Sequence, residues 1–138
     1  QVVAALAIAA LSWIVGRGPI AAMPLATGVV DRPKDNRVAD AAVEFAGWAL
    51  DPHGVAAIEL VTDGGAVYPA RYGIPKIGAR GEALALYFPS YPDAERAGFV
   101  ATLPREALAA GPLRVRTVVV NADGVRTEID RRTLVVRR

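Results

Sequence analysis

The chain contains no cysteine, which excludes disulfides, thiolate metal sites and thiol catalysis but leaves its compartment open. Nucleophile chemistry is almost as poorly provided for. The one histidine, His53, sits in a turn between Pro52 and Gly54 and reads as a solvated turn residue. The two serines, Ser12 and Ser90, lie outside any Gly-x-Ser-x-Gly frame. Carboxylates are dispersed, with no Asp-x-Asp-x-Asp-Gly calcium loop; Asp51 and Asp63 read as turn caps, and Asp31, Asp35 and Asp40 are left as a weak cation candidate. The fragment Gly16-Arg17-Gly18-Pro19-Ile20-Ala21 has nominal dinucleotide-fingerprint spacing, but it follows a helical run and carries a proline. The expectation is therefore no catalytic residue, no cofactor, no metal and no enzymatic activity. A net charge of +2 with 53% hydrophobic residues also argues against disorder and against a charge-driven partner such as nucleic acid, for which no binding motif is present.

What is present divides into three segments over 138 residues. Residues 1–18 open with fifteen uncharged residues, Gln1 to Val15, and stop at Gly16-Arg17-Gly18-Pro19. At 1.5 Å per residue the run spans about 22 Å as a helix, short of a ~30 Å hydrocarbon core. Because Gln1 is not an initiator methionine, the expectation is a transmembrane helix completed by apolar residues upstream. Trp13 and Arg17 would anchor its interfacial end. Residues 19–36 hold Pro19, Pro24 and Pro33 and read as an extended linker leading into a first edge strand near Thr27–Val30.

Residues 37–138 change period from helical to two. Candidate strands are Ala42–Leu50, Ala56–Thr62, Ala66–Arg71, Gly98–Leu103, Leu113–Asn121 and Arg126–Val136, separated by turn chemistry at Asp51-Pro52-His53-Gly54, Asp63-Gly64-Gly65 and Asn121-Ala122-Asp123-Gly124. In the segment from Leu113 to Val119, alternation turns Leu113, Val115, Thr117 and Val119 inward and Arg114 and Arg116 outward. Six or seven short antiparallel strands of this kind specify a mainly β sandwich. One stretch breaks the alternation: Val43 and Phe45 are odd-numbered, whereas Trp48 and Leu50 are even. A β-bulge at Ala46-Gly47 would reconcile them, giving Gly47 a structural role and making Trp48 a central core residue.

The motifs GWALDPHGVAAIEL, VTDGG, ARYGIPK and YPDAERAGFVATL resemble the bacterial Ig-like modules with a Gly-Trp-Ala-x-Asp signature, which are found attached to membrane and cell-surface proteins, membrane glycosyltransferases among them. The likeness covers roughly Gly28 to Val136. It implies an immunoglobulin-like antiparallel β-sandwich with a spacer or interaction role. The paired cysteines of antibody domains are missing, and no tyrosine corner precedes the strand that begins at Leu113, so antigen-receptor behaviour is not implied.

Two surfaces are candidates for contact. Tyr68, Tyr72, Tyr87, Phe88 and Tyr91 lie along a long proline-rich connection, where they either form a protein or sugar contact surface or plug the end of the sandwich. Arg114 and Arg116, with later arginines, line an outer strand face that is either simply solvated or meets anionic lipid or an acidic partner. The sequence-level expectation is a single-pass protein of the bacterial inner membrane with its Ig-like domain in the periplasm. Its bilayer contact would run through residues 1–15, with alanines such as Ala4, Ala5, Ala7, Ala9 and Ala10 permitting close helix packing. Its role would be that of a non-catalytic accessory subunit, contacting other subunits of a membrane complex such as a photosynthetic or respiratory assembly. The alternative is the C-terminal, glycan-contacting module of an integral membrane glycosyltransferase.

Overall fold

The computed structural model describes residues 26–75, 84, 86–92 and 94–137. The expected helix, with Trp13 and Arg17, lies outside the described residues; among those described, no helix is long and apolar enough to cross a membrane.

The protein is a mainly β sandwich of two sheets. Its strands are β1 (Thr27–Arg32), β2 (Arg37–Ala39), β3 (Val43–Leu50), β4 (Val55–Thr62), β5 (Val67–Pro69), β6 (Arg71–Ile74), β7 (Gly98–Leu103), β8 (Gly111–Asn121) and β9 (Arg126–Val136). One sheet has the order β1-β3-β7-β6 and the other β2-β9-β8-β4-β5. All pairings are antiparallel except β2 with β9. One expected strand is corrected here, and one observed strand was not among those expected. The stretch read as a single strand, Ala66–Arg71, is divided at Ala70, so that β5 closes one sheet and β6 the other. Strand β2 is too short to show a period in the sequence. It is held by neighbours distant in the chain: Asn36 N–H donates to Thr133 O at 2.8 Å, and Thr133 N–H donates to the Asp35 carboxylate at 2.8 Å.

Between the sheets lies the main core, with Phe45, Phe99, Ile58, Leu60, Val115, Val119 and Leu134 at its centre. Leu113, Val115, Thr117 and Val119 are all buried, as the alternation in β8 requires. Their partners on β9 include Leu134 opposite Leu113, Arg132 opposite Val115 and Asp130 opposite Thr117. Directly opposed residues share a face, so Arg132 starts on the inner side, where an unpaired cation would be costly. Each nitrogen of its guanidinium is engaged: Nε donates to Asp130 at 3.0 Å, Nη1 to Pro33 O at 2.6 Å and Nη2 to Val30 O at 2.7 Å. One side chain of the second sheet thus fastens the first strand of the other.

The parity conflict in β3 is resolved differently from the expected bulge. Pairing of β3 with β7 is regular from Val43↔Leu103 to Trp48↔Gly98. The extra residue lies on the neighbouring strand, where Val30 pairs with Gly47 and Arg32 with Ala46, leaving Asp31 over. Strand β3 needs no bulge of its own because both its faces are buried. Val43, Phe45 and Ala49 enter the main core, while Trp48 and Leu50 join a second cluster with Leu84, Ala94 and Ala97 on the outer face. Trp48 is therefore buried, but beneath a cover on the outside of the sheet and not between the sheets. Burying such a ring removes roughly 150–250 Å² from water, a gross gain of about 4 kcal/mol or more. Glu44 lies beyond the cover, remains exposed and pairs with Arg32.

Gly47 has a steric reason independent of backbone angle. A Cβ built there would lie 2.0 Å from Val29 O and 3.0 Å from Val30 Cα, so any side chain drives β1 off β3. Gly28 faces the same restriction, at 2.5 Å from Trp48 O. Gly47→Ala is expected to destabilise by about 3 kcal/mol, an overpacking cost that backbone atoms cannot relax cheaply. Gly64→Ala, where no atom lies within 4 Å of the new methyl, is expected to be nearly neutral. Urea titration of both variants checks this; equal midpoints would contradict the close approach of β1.

Candidate functional site

The five candidate aromatic residues have different fates. Tyr68 on β5 and Tyr72 on β6 are half-buried against the main core, and the Tyr72 hydroxyl donates to Ala49 O at 2.8 Å. Phe88 and Tyr91 cover the second cluster. Phe88 stands 5.9 Å from Trp48 between ring centroids and meets Tyr91 edge-on at 5.3 Å. A helical turn carries this cover, with Phe88 N–H bonded to Leu84 O at 2.9 Å and Tyr91 N–H to Phe88 O at 3.1 Å. Only Tyr87 projects freely. It is 75% exposed beside Leu86 at 73%, an adjacent apolar pair raised on a packed aromatic base. The connection read as one long loop in fact contains β6, and four of its five rings serve the fold's own packing.

The outer face of the five-stranded sheet carries the arginines. Arg114 and Arg116 point away from the core, and Arg131 on β9 lies directly across from Arg116. That juxtaposition depends on a bulge. Val120 pairs with Arg126 and Val118 with Glu128, but Thr117 pairs with Asp130, so Ile129 is an extra residue on β9. An unbroken register would set Asp130 opposite Arg116; the bulge sends Asp130 to the inner face and brings Arg131 out. Arg131 forms a two-pronged contact with Glu128, Nε to Oε2 at 3.1 Å and Nη2 to Oε1 at 3.0 Å, and Arg116 lies 3.7 Å from the same carboxylate. These hydrogen bonds from Arg131 hold the Glu128 carboxyl below its ordinary value, against a smaller opposing effect of burial. Together with Asp63, the three arginines line an open depression of about 250 Å³. Sequence reading found Arg114 and Arg116 but not Asp63 or Arg131 as their neighbours, because the local pattern carries no sign of the bulge.

A polar node closes the end of the sandwich near His53. The buried Asp51 carboxylate accepts from His53 N–H at 2.8 Å and from the Asn121 amide at 3.4 Å. Asn121 Oδ1 in turn accepts from Asp123 and Val125 N–H, each at 2.9 Å. These are turn-capping contacts that consume the polar groups involved. Exposed His53 lies 3.5 Å from Asp123, with no nucleophile in the contact. Asp35, a member of the candidate cation trio, is occupied in capping the Thr133 amide. Among the described residues, no three His, Cys, Asp or Glu side chains form a group that could hold a metal ion.

No family model matches the chain. No curated protein matches it. Among solved structures, the chain is similar to the endo-β-1,4-mannanase from Thermotoga petrophila, with 11% sequence identity and a TM-score of 0.55, covering 83% of this chain and 20% of that one. At this identity the likeness concerns the fold alone, and the chain spans about a fifth of the mannanase's length. An alignment to CopC from Methylosinus trichosporium OB3b covers 79% of this chain and 92% of that one at 17% identity, with a TM-score of 0.35 that supports no argument. Fold and surfaces together define the class, a two-sheet β-sandwich with an aromatic cover on one outer face and arginines on the other.

Tyr91 supplies a direct check on the aromatic cover. Burial first, and the Asp51 carboxylate second, push its phenol above the ordinary value of 10.0. The native state therefore favours the protonated phenol. Its contribution to stability is fully present below about pH 10 and is lost as pH rises through the native value. Ultraviolet titration of wild type against Tyr91→Phe is expected to give a difference component ionising above the ordinary tyrosine range. A component at or below that range would contradict the burial of this ring.

Proposed function

We propose that this chain is a non-catalytic, Ig-like interaction module acting as an accessory subunit of a bacterial membrane complex. Residues 1–15 serve as its bilayer anchor, and the sandwich lies on the periplasmic side. The Ig-like reading is supported by strand order. Lettered in chain order as A, A′, B, C, C′, D, E, F and G, the sheets run A-B-E-D and A′-G-F-C-C′, consistent with the immunoglobulin arrangement of an ABED sheet facing a sheet built on G, F and C. The Gly-Trp-Ala-x-Asp motif supports it as well, since it supplies the close-packing Gly47, the covered Trp48 and the turn-capping Asp51.

The observation that carries the interaction role is the exposed Leu86–Tyr87 pair. An apolar residue and a tyrosine that project from a base already packed on Trp48 lose little conformational freedom on docking, as protein-contact anchors do. Extraction in mild detergent, capture of the chain and mass spectrometry of the retained proteins is expected to yield stoichiometric subunits of one membrane complex. Leu86→Ala with Tyr87→Ala is expected to leave the melting temperature unchanged and to reduce retention at least tenfold, the equivalent of about 1.4 kcal/mol. Unchanged retention would contradict the assignment of this pair. Recovery of the sequence as the end of one many-span polypeptide would contradict the subunit role in favour of a glycosyltransferase module.

A further inference from the structure

The arginine depression lies on the sheet opposite the one that carries Leu86 and Tyr87, and its chemistry is independent of the membrane anchor. Arg116 and Arg131 are directly opposed across β8 and β9, a like-charge pair that disfavours the sheet unless an anion offsets it. Glu128 provides one such charge and shares it between the two arginines. Its two hydrogen bonds from Arg131 leave three N–H donors on that guanidinium. Arg114, two residues along the same face of β8, has no ion-pair partner among the described residues. The Asp63 backbone N–H bonds to Arg114 O at 3.1 Å, which fixes the β4–β5 turn beside this arginine. Three arginines against Asp63 and Glu128 leave a net positive depression.

We propose that Arg114, Arg116 and Arg131 bind the phosphate of a short polyol phosphate ester, with Asp63 accepting a hydrogen bond from a hydroxyl of the same ligand. Phosphate suits the arrangement better than carboxylate. Guanidiniums placed on two strands approach from more than one direction, and phosphate offers each a separate oxygen, whereas a carboxylate presents a single edge. The depression, at about 250 Å³, is several times the ~30 Å³ share of a liquid water and accommodates a phosphate with a short polyol attached. A bare carboxylate at the rim repels a second negative charge and rewards a hydroxyl donor, so Asp63 selects the ester over a free polyanion. The same group is present in free glycerol phosphate and in the headgroup of phosphatidylglycerol.

The test uses the full chain in detergent micelles with sn-glycerol 3-phosphate and inorganic phosphate in calorimetric titrations. Flotation with phosphatidylglycerol vesicles is run against phosphatidylcholine vesicles. Because residues 1–15 would partition into any bilayer, the vesicle readout is the difference between the two lipids. Arg114→Gln is expected to weaken glycerol phosphate, or the phosphatidylglycerol preference, at least tenfold. Asp63→Asn is expected to strengthen inorganic phosphate more than glycerol phosphate, and so to shrink the preference for the ester, because it removes the repelling charge. Should Arg114→Gln lower the melting temperature, Arg114→Lys gives the same reading, because it keeps the charge but loses the fork. Loss of the free ligand's binding supports the site with a soluble source, and loss of the lipid preference alone supports it with a membrane source. Binding of neither probe, or affinities unchanged by both substitutions, would overturn the proposal.

Discussion

The rest of the structure depends on the burial of β3 from both sides. A strand at the surface of a two-layer sandwich ordinarily gives one face to the core and the other to water. Here the outer face holds Trp48 and Leu50, which must be removed from water by something other than the opposing sheet. Leu84, Phe88, Tyr91, Ala94 and Ala97 do this, so their place on the outside of the sheet follows from the need to cover a tryptophan. On the flank, β1 lies so close that Gly47 and Gly28 have no room for a methyl group. Core, cover and edge strand all meet on these eight residues.

From that arrangement the outer surfaces acquire distinct characters. The four-stranded sheet becomes a three-layer region locally, and the cover raises Leu86 and Tyr87 into solvent. On the outer face of the five-stranded sheet, one extra residue, Ile129, determines which charged side chains meet. Ile129 itself turns inward, and its Cδ1 lies 2.7 Å from where a Gly28 Cβ would stand. The bulge that assembles Arg114, Arg116 and Arg131 outside therefore also shapes the contact with β1 inside. Arg132 then ties β9 to the carbonyls of Val30 and Pro33. The aromatic cover and the arginines thus lie on opposite sheets.

The mainly β character was legible because Gly98–Leu103 alternates in burial from Phe99 onward and Arg126–Val136 follows the Asn121–Gly124 turn, and both strands are found at those bounds. Turn chemistry was equally readable at Asp51, whose side chain caps the His53 amide. Other features were not legible, for specific physical reasons. Alternation identifies one buried face and cannot announce that a strand is buried on two, so Trp48 and Phe45 looked like a register conflict. Strand β2 has three residues and pairs with the far end of the chain, a long-range contact with no local pattern. The arginine site needed the register of a bulged hairpin. Its members Arg114 and Arg116 were visible from alternation, whereas Arg131 becomes their neighbour only after one residue is taken out of register.

Trp48 is sealed from outside by the Phe88 and Tyr91 rings, and the burial of β3 on its outer face rests on that seal. The most direct measurement is a double-mutant cycle in denaturant unfolding, using Trp48→Ala, Phe88→Ala and the pair. With centroids 5.9 Å apart, the two rings are expected to show a coupling of about 1 kcal/mol, the double variant losing less than the sum of the single losses. Losses that add within error would mean that the rings do not meet, and that the outer face of β3 is covered in some other way.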